Sequence, residues 1–243
     1  MYIENPKTKD SGILCCIPQK GTCPNGCVDC FFQSGRSYLE PLNKNLPNMP
    51  NSRLANKYVV RVNDGNDSNN NQKLVINKTK YYHKRFYNTS IPIDLDKFKQ
   101  PVVLTINPGK MTDNDFYKLD TFPSNLMFVR FRTNTWNIDL LKAAVTYYID
   151  RKVPIVLTFM AYHDEQSLPE HISGKYIYRQ RTTNSYWAIT TEAWNSIMDN
   201  FRNIKYVHSC GRVEGEEGDT HCKYCGNCLR EYHATIERMK NEK

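Results

Sequence analysis

Residues 11–32 read SGILCCIPQKGTCPNGCVDCFF, and their reading decides the fold. Residues 11–18 form an apolar, β-type run that passes directly into a loop holding Cys23, Cys27 and Cys30. Further runs of the same kind follow at residues 58–62 (YVVRV), 101–106 (PVVLTI), 127–131 (MFVRF), 153–160 (VPIVLTFM) and 204–208 (IKYVH). Near-continuous apolar strands are those of a parallel sheet covered by helices. Residues 138–151 (IDLLKAAVTYYIDR) and 191–201 (TEAWNSIMDNF) supply helical spacing between them. The alternation predicts an α/β fold with right-handed crossovers. Six units fall short of the eight that close a full barrel, so the expectation is a partial (β/α)6 barrel. Residues 86–92 and 161–185 carry no element on this reading. A boundary near Ser209 separates a barrel over 1–208 from a small cysteine-rich C-terminal extension with a terminal helix over 209–243.

The chain has 243 residues, with 33 Lys and Arg against 25 Asp and Glu, a formal net charge of +8. That length buries a core without disulfide support. No apolar run approaches the roughly 18 residues of a membrane helix, and the N-terminal residues MYIENPKTKDSG have no secretory h-region. The expectation is a cytoplasmic protein with no membrane partner. Nine cysteines in 243 residues fall short of the roughly 8–10% of a disulfide scaffold. Clustered thiols in a reducing compartment are metal ligands or redox groups. The vicinal pair Cys15 and Cys16 is the exception, because burial on the first strand explains it.

The spacing C-x3-C-x2-C at Cys23, Cys27 and Cys30 lets three thiolates reach three corners of one [4Fe–4S] cube, leaving the fourth iron without a protein ligand. A reactive site keeps such a position free, whereas a structural one fills it. Gly26 and Pro24 suit the tight loop. Zinc or free thiols are the alternative reading, although zinc normally takes four ligands.

A three-cysteine loop after the first strand of a partial barrel resembles the radical S-adenosylmethionine (radical SAM) enzymes. The resemblance covers residues 11–208 in architecture and only the loop in motif. It implies that Cys23, Cys27 and Cys30 hold a [4Fe–4S] cluster whose open iron chelates SAM. Reductive cleavage then gives a 5′-deoxyadenosyl radical that abstracts hydrogen from a substrate, with an external electron donor such as flavodoxin or ferredoxin. The family's aromatic residue before the third cysteine is Asp29 here, so Phe31 or Phe32 is the candidate adenine contact. At the end of the second strand, the family's Gly-rich acidic motif corresponds in position to Asn63-Asp64-Gly65-Asn66-Asp67. Asp64, Gly65 and Asp67 are the candidates for the SAM ammonium group, and a plain Asx turn explains the same residues. Arg130 and Arg132 share one face of their strand and are candidates for the SAM carboxylate. Thr158, Met160 and Asn107 are weaker neighbours.

Cys210, Cys222, Cys225 and Cys228 offer four thiolates at metal-site spacing. The run C-x2-C-x2-C is like half a bacterial ferredoxin motif, and a second [4Fe–4S] cluster is the first choice. Zinc competes, because four cysteines, or three with His221, are its usual structural sets.

The positive charge raises nucleic acid as a substrate, with Tyr81, Tyr82, Tyr176 and Tyr178 able to stack bases. A peptide, a protein or a small metabolite stands beside it. Two function classes remain: a radical SAM enzyme, or a non-catalytic iron–sulfur or zinc protein with or without a nucleic-acid partner.

Overall fold

The structure, a computed structural model, describes residues 1–27, 30, 32, 37–106, 118–135, 137–162, 168, 170–180, 185–211 and 222–242. Its strands are β1 (Ile13–Cys16), β2 (Val59–Val62), β3 (Arg85–Thr89), β4 (Val102–Ile106), β5 (Leu126–Thr133), β6 (Ile155–Phe159), β7 (Ala161–Tyr162), β8 (Tyr176–Arg179), β9 (Tyr186–Ile189) and β10 (Val207–Ser209). The helices are α1 (Ser52–Ala55), α2 (Gln72–Thr79), α3 (Ile138–Ile149), α4 (Thr191–Met198), α5 (Cys222–Cys225) and α6 (Asn227–Asn241). Side chains set several helix starts. Asn51 accepts from the Leu54 amide at 2.9 Å, and Thr190 accepts from the Ala193 amide at 3.2 Å, each satisfying a backbone donor that the first turn leaves open.

Seven strands form one sheet in the order β1-β2-β3-β4-β5-β6-β10, and every neighbouring pair is parallel. β1 to β6 lie side by side in chain order and β10 follows on β6, and the sheet curls in one direction into a partial barrel. The expected α/β fold is therefore present, with one strand more than the six expected. The addition is β3, which overlaps residues 86–92, expected to carry no element. Its residues Arg-Phe-Tyr-Asn-Thr mix aromatics with polar groups, yet Phe86, Tyr87, Asn88 and Thr89 are all buried. The apolar-run criterion passed over it because half of its buried residues are hydrogen-bonding ones.

Alternation along the strands sorts the sheet into two faces. Val60, Val62, Tyr87, Leu104, Val129, Phe131, Ile155 and Leu157 pack with helical residues such as Leu141, Tyr148, Trp194 and Ile197 in the larger core. Tyr87 stacks on Phe98 at 4.7 Å, and Phe131 meets Tyr148 edge-on at 5.9 Å. The other, concave face carries Ile13, Val59, Phe86, Val103, Phe128 and Val156, which cluster with Tyr232 of α6. That helix buries Asn227, Glu231, Tyr232 and Thr235, a stripe at helical spacing. Asn227 Nδ2 donates to the Ser209 carbonyl at 2.6 Å, Leu229 approaches Gly12 just before β1, and Arg238 donates to the Ser124 and Leu126 carbonyls at the start of β5. The C-terminal helix thus links both edge strands and crosses the concave face toward the strands' N-terminal ends.

Residues 161–185, expected to be loop, contribute to a second sheet. It is antiparallel, in the order β7-β9-β8, and directly follows β6. Its buried side is a small cluster of Tyr162 and Tyr176 with Met160, and strands of two to four residues with exposed positions such as Ile177 and Tyr178 are too short for a sequence pattern to register. No helix among the described residues is long and apolar enough to cross a membrane.

Candidate functional site

In the register of the parallel sheet, the concave face changes character toward the C-terminal strand ends, where barrel sites lie. Beyond its apolar layer come Cys15, Arg61, Asn63, Asn88, Thr105, Arg130, Arg132, Thr158 and His208, on the same side of their strands. Arg130 and Arg132 therefore share the inner face, as alternation predicted. Arg132 lies one pleat nearer the strand end.

The cysteine loop that follows β1 is fastened to the ends of β2 and β3. Gln19 Nε2 donates to the Asp67 carbonyl at 2.8 Å, and Asn25 Nδ2 donates to Asp67 Oδ2 and Ser90 Oγ at 3.1 Å each. Gly26 sits at φ +53°, a left-handed conformation that glycine adopts without a Cβ penalty. Asn70 Nδ2 donates to Cys23 Sγ at 3.5 Å. Burial pushes the Cys23 thiol up, the Asn25 amide hydrogen bond opposes this, and Asp67, Cys27 and Cys30 add to the rise. Cys27 and Cys30 thus both lie near enough to Cys23 to act on its charge.

Phe32 and Gly65, both picked out by the sequence, meet directly. A Cβ on Gly65 would fall 2.2 Å from the Phe32 ring, inside any real contact. Glycine is required there by close approach, since its φ lies outside the left-handed region. Phe32 also meets Tyr38 edge-on at 6.4 Å. The two flanking carboxylates differ. Asp67 accepts from Thr89 Oγ1, the Asn69 amide, the Ser90 amide and hydroxyl, and Asn25. Those five donors exceed the roughly four lone-pair sites of a carboxylate. Asp64 is paired with Arg61 and accepts from Asn5 Nδ2 at 2.5 Å, which leaves it further capacity.

The C-terminal cysteines lie at the same face. Cys210 follows β10, its amide donating to the Leu157 carbonyl at 2.8 Å. Cys210 and Cys228 pack against the concave cluster. The Cys225 thiol is held well below its usual range, first by a hydrogen bond from Cys210 and then, against burial, by the Asn227 and Gly211 amides. The same pairing, with burial, pushes Cys210 up, and Arg130 opposes it. Burial also raises Cys222, which Arg61 counteracts. Backbone amides and the Cys210 hydrogen bond favour the Cys225 thiolate, whereas Cys210 and Cys222 stay raised despite the nearby guanidinium charge. Thiolates are what a soft metal or an iron–sulfur cluster takes. Among the described residues, no three His, Cys, Asp or Glu side chains are gathered closely enough to hold a metal as they stand. Thiols at this spacing are the donor type such a group takes at both loops.

Asp29, Phe31, Asn107 and His221 lie outside the described residues. Cys15 and Cys16 are wholly buried, Cys16 among the helical core and Cys15 beside Thr8. Thr158 stands on the inner face, whereas Met160 packs with Tyr162 and Tyr176 and accepts from Asn134. Two of the four tyrosines considered for base stacking are core residues. Tyr82 donates to the Pro50 carbonyl at 2.7 Å, and Tyr176 is 5% exposed. No sequence pattern singles out Arg61, Asn88 or His208. Each stands on a strand whose register first shows which way it points. No family model matches the chain, and neither a curated protein nor a solved structure does.

Proposed function

We propose that the protein is a radical SAM enzyme. The observation that carries this reading is the placement of a C-x3-C-x2-C loop beyond the C-terminal end of the first strand of a sequentially ordered parallel half-barrel. When bound by Cys23, Cys27 and Cys30, a [4Fe–4S] cluster would supply one electron to the SAM sulfonium, releasing methionine and a 5′-deoxyadenosyl radical that takes a hydrogen atom from substrate. The chain's own residues bind and orient. Phe32, seated on Gly65, offers a ring for adenine. Asp64 keeps capacity for the ammonium group, while Asp67, filled by five protein donors, orders the loop. Arg132, nearer the strand end, serves the carboxylate. Cys210, Cys222, Cys225 and Cys228 would hold a second cluster or zinc.

Anaerobic reconstitution with iron and sulfide tests the proposal. The expected product under dithionite is 5′-deoxyadenosine, with iron equivalent to one or two clusters. The triple Cys23/Cys27/Cys30→Ala variant should keep metal at the C-terminal cysteines and lose all cleavage. Zinc at both loops, or intact clusters without cleavage, would overturn it in favour of a non-catalytic metal protein.

A further inference from the structure

Arg130 projects from β5 onto the concave face, half-buried, and leans back along it. Its guanidinium lies 5.5 Å above the ring of Phe128, two residues earlier on the strand, and Nη1 donates to Asn88 Oδ1 on β3 over a long 3.4 Å. Register sets Asn88 and Phe128 at one level, on either side of Val103. Among the described residues this is Arg130's one hydrogen bond, and no carboxylate pairs with it. Asn88 is buried and fixed, its Nδ2 donating to the Val62 and Asn63 carbonyls at 3.2 and 3.3 Å. A neutral amide thus orients the guanidinium without cancelling its charge. Two carboxylates border the face and both serve other cations, Asp64 with Arg61 and Glu231 with Arg230 at 3.0 Å. A guanidinium drawn partly out of water needs compensating charge. Most of Arg130's fork of donors is uncommitted, and that fork matches a carboxylate or phosphate.

We propose that Arg130, oriented by Asn88, is an oxyanion site on the inner face that anchors the substrate by a terminal carboxylate or phosphate. That the anion belongs to a substrate rests on the proposed radical SAM activity, whereas the anion site itself does not. Depth selects a small molecule with a terminal anionic group. Beneath the guanidinium, Phe86, Val103 and Phe128 pack with Tyr232 of α6 and close the floor. The anion therefore enters from the C-terminal strand ends. A phosphodiester within a nucleic-acid chain would have to carry both flanking nucleotides down with it. Arg132 stands one pleat nearer the strand ends on the same face, so SAM and substrate are received at different depths. A molecule held at Arg130 extends back toward the strand ends, where the cysteine loop is fastened.

The test titrates the full chain with inorganic phosphate and with acetate, following the Arg130 Nε–H signal by NMR and the affinity by calorimetry. At least one anion should shift the signal saturably, and the tighter binder names the substrate's anionic group. Arg130→Gln should weaken its binding by about 10–100-fold, the loss expected for hydrogen bonds to a charged group. Thr105→Asp sets a carboxylate on β4 at Arg130's register partner and should weaken binding as much while the guanidinium stays. That variant keeps the proposal testable if Arg130→Gln fails to fold. No saturable shift with either anion, or parent affinity in either variant, would overturn the inference and leave the radical SAM reading standing. Displacement of the anion by SAM in the reconstituted enzyme would assign Arg130 to the SAM carboxylate and overturn it as well. An oligonucleotide without terminal phosphates that shifts the signal at lower concentration than phosphate would overturn the choice of a small molecule. Anion binding at Arg130 without 5′-deoxyadenosine formation would uphold the anion site and overturn the radical SAM reading alone.

Discussion

Phe32 and Gly65 test the site at the scale of single residues. Gly65 makes no special backbone demand, and the nearest obstacle to a side chain there among the described residues is the Phe32 ring, 2.2 Å from the added Cβ. Gly65→Ala must drive the ring away, and overpacking of this kind costs about 1–3 kcal/mol. In a Phe32→Ala background the obstacle is gone, and the same substitution should cost no more than an ordinary surface change, within about 0.5 kcal/mol. A double-mutant cycle by urea denaturation measures the difference. Equal costs in both backgrounds would show that Phe32 does not rest on Gly65. Asp67 teaches a different lesson, because its sequence position marks a binding carboxylate and its partners make it an anchor. Thr89, Ser90 and Asn25 come from other segments of the chain, and no local pattern announces them.

At the scale of elements, legibility followed chemistry. β1, β2, β4 and β6 lie within apolar runs of the sequence, and β5 extends its run at both ends, because their outer faces need helices and their inner faces need a core. β3 was hidden by Asn88 and Thr89. Asn88 Nδ2 donates to the Val62 and Asn63 carbonyls, and Thr89 Oγ1 donates to Asp67. Polar groups that organise the site erase the pattern by which their own strand is found. α6 is the reverse case. Its helical character is local, but its place on the concave face depends on a few long-range contacts. Tyr232 meets Phe86 at 6.5 Å between ring centroids and is 4% exposed. Tyr232→Ala should destabilise the protein by about 3–5 kcal/mol, the cost of truncating a large buried aromatic. Thermal denaturation checks it, and a change below about 1 kcal/mol would mean that α6 is not docked through this ring.

At the scale of the whole molecule, the half-barrel leaves β1 and β10 as open edges, and the C-terminal segment links them. The two parts of that segment are held differently. α6 is fastened by Tyr232, Thr235 and Arg238, whereas α5 is one turn with no buried side chain. A single turn is not stable alone, since nucleation is unfavourable and only packing or a ligand offsets it. α5 consists of Cys222, Lys223, Tyr224 and Cys225, so two of its four side chains are the proposed ligands. Metal should therefore order α5 and the first turn of α6 without being required for the rest of the fold. Hydrogen exchange on the metal-loaded full chain, before and after a chelator, reads this directly. Amides of residues 222–228 should lose protection on chelation, while β2 through β6 and the second half of α6 keep theirs, because their hydrogen bonds and apolar contacts involve no thiol. Loss of protection through Arg238 would show that metal binding, rather than Tyr232 packing, docks the helix. Protection of 222–228 unchanged by chelation would show that α5 is ordered by the protein alone, and a metal at those cysteines would then have no part in closing the barrel's edge.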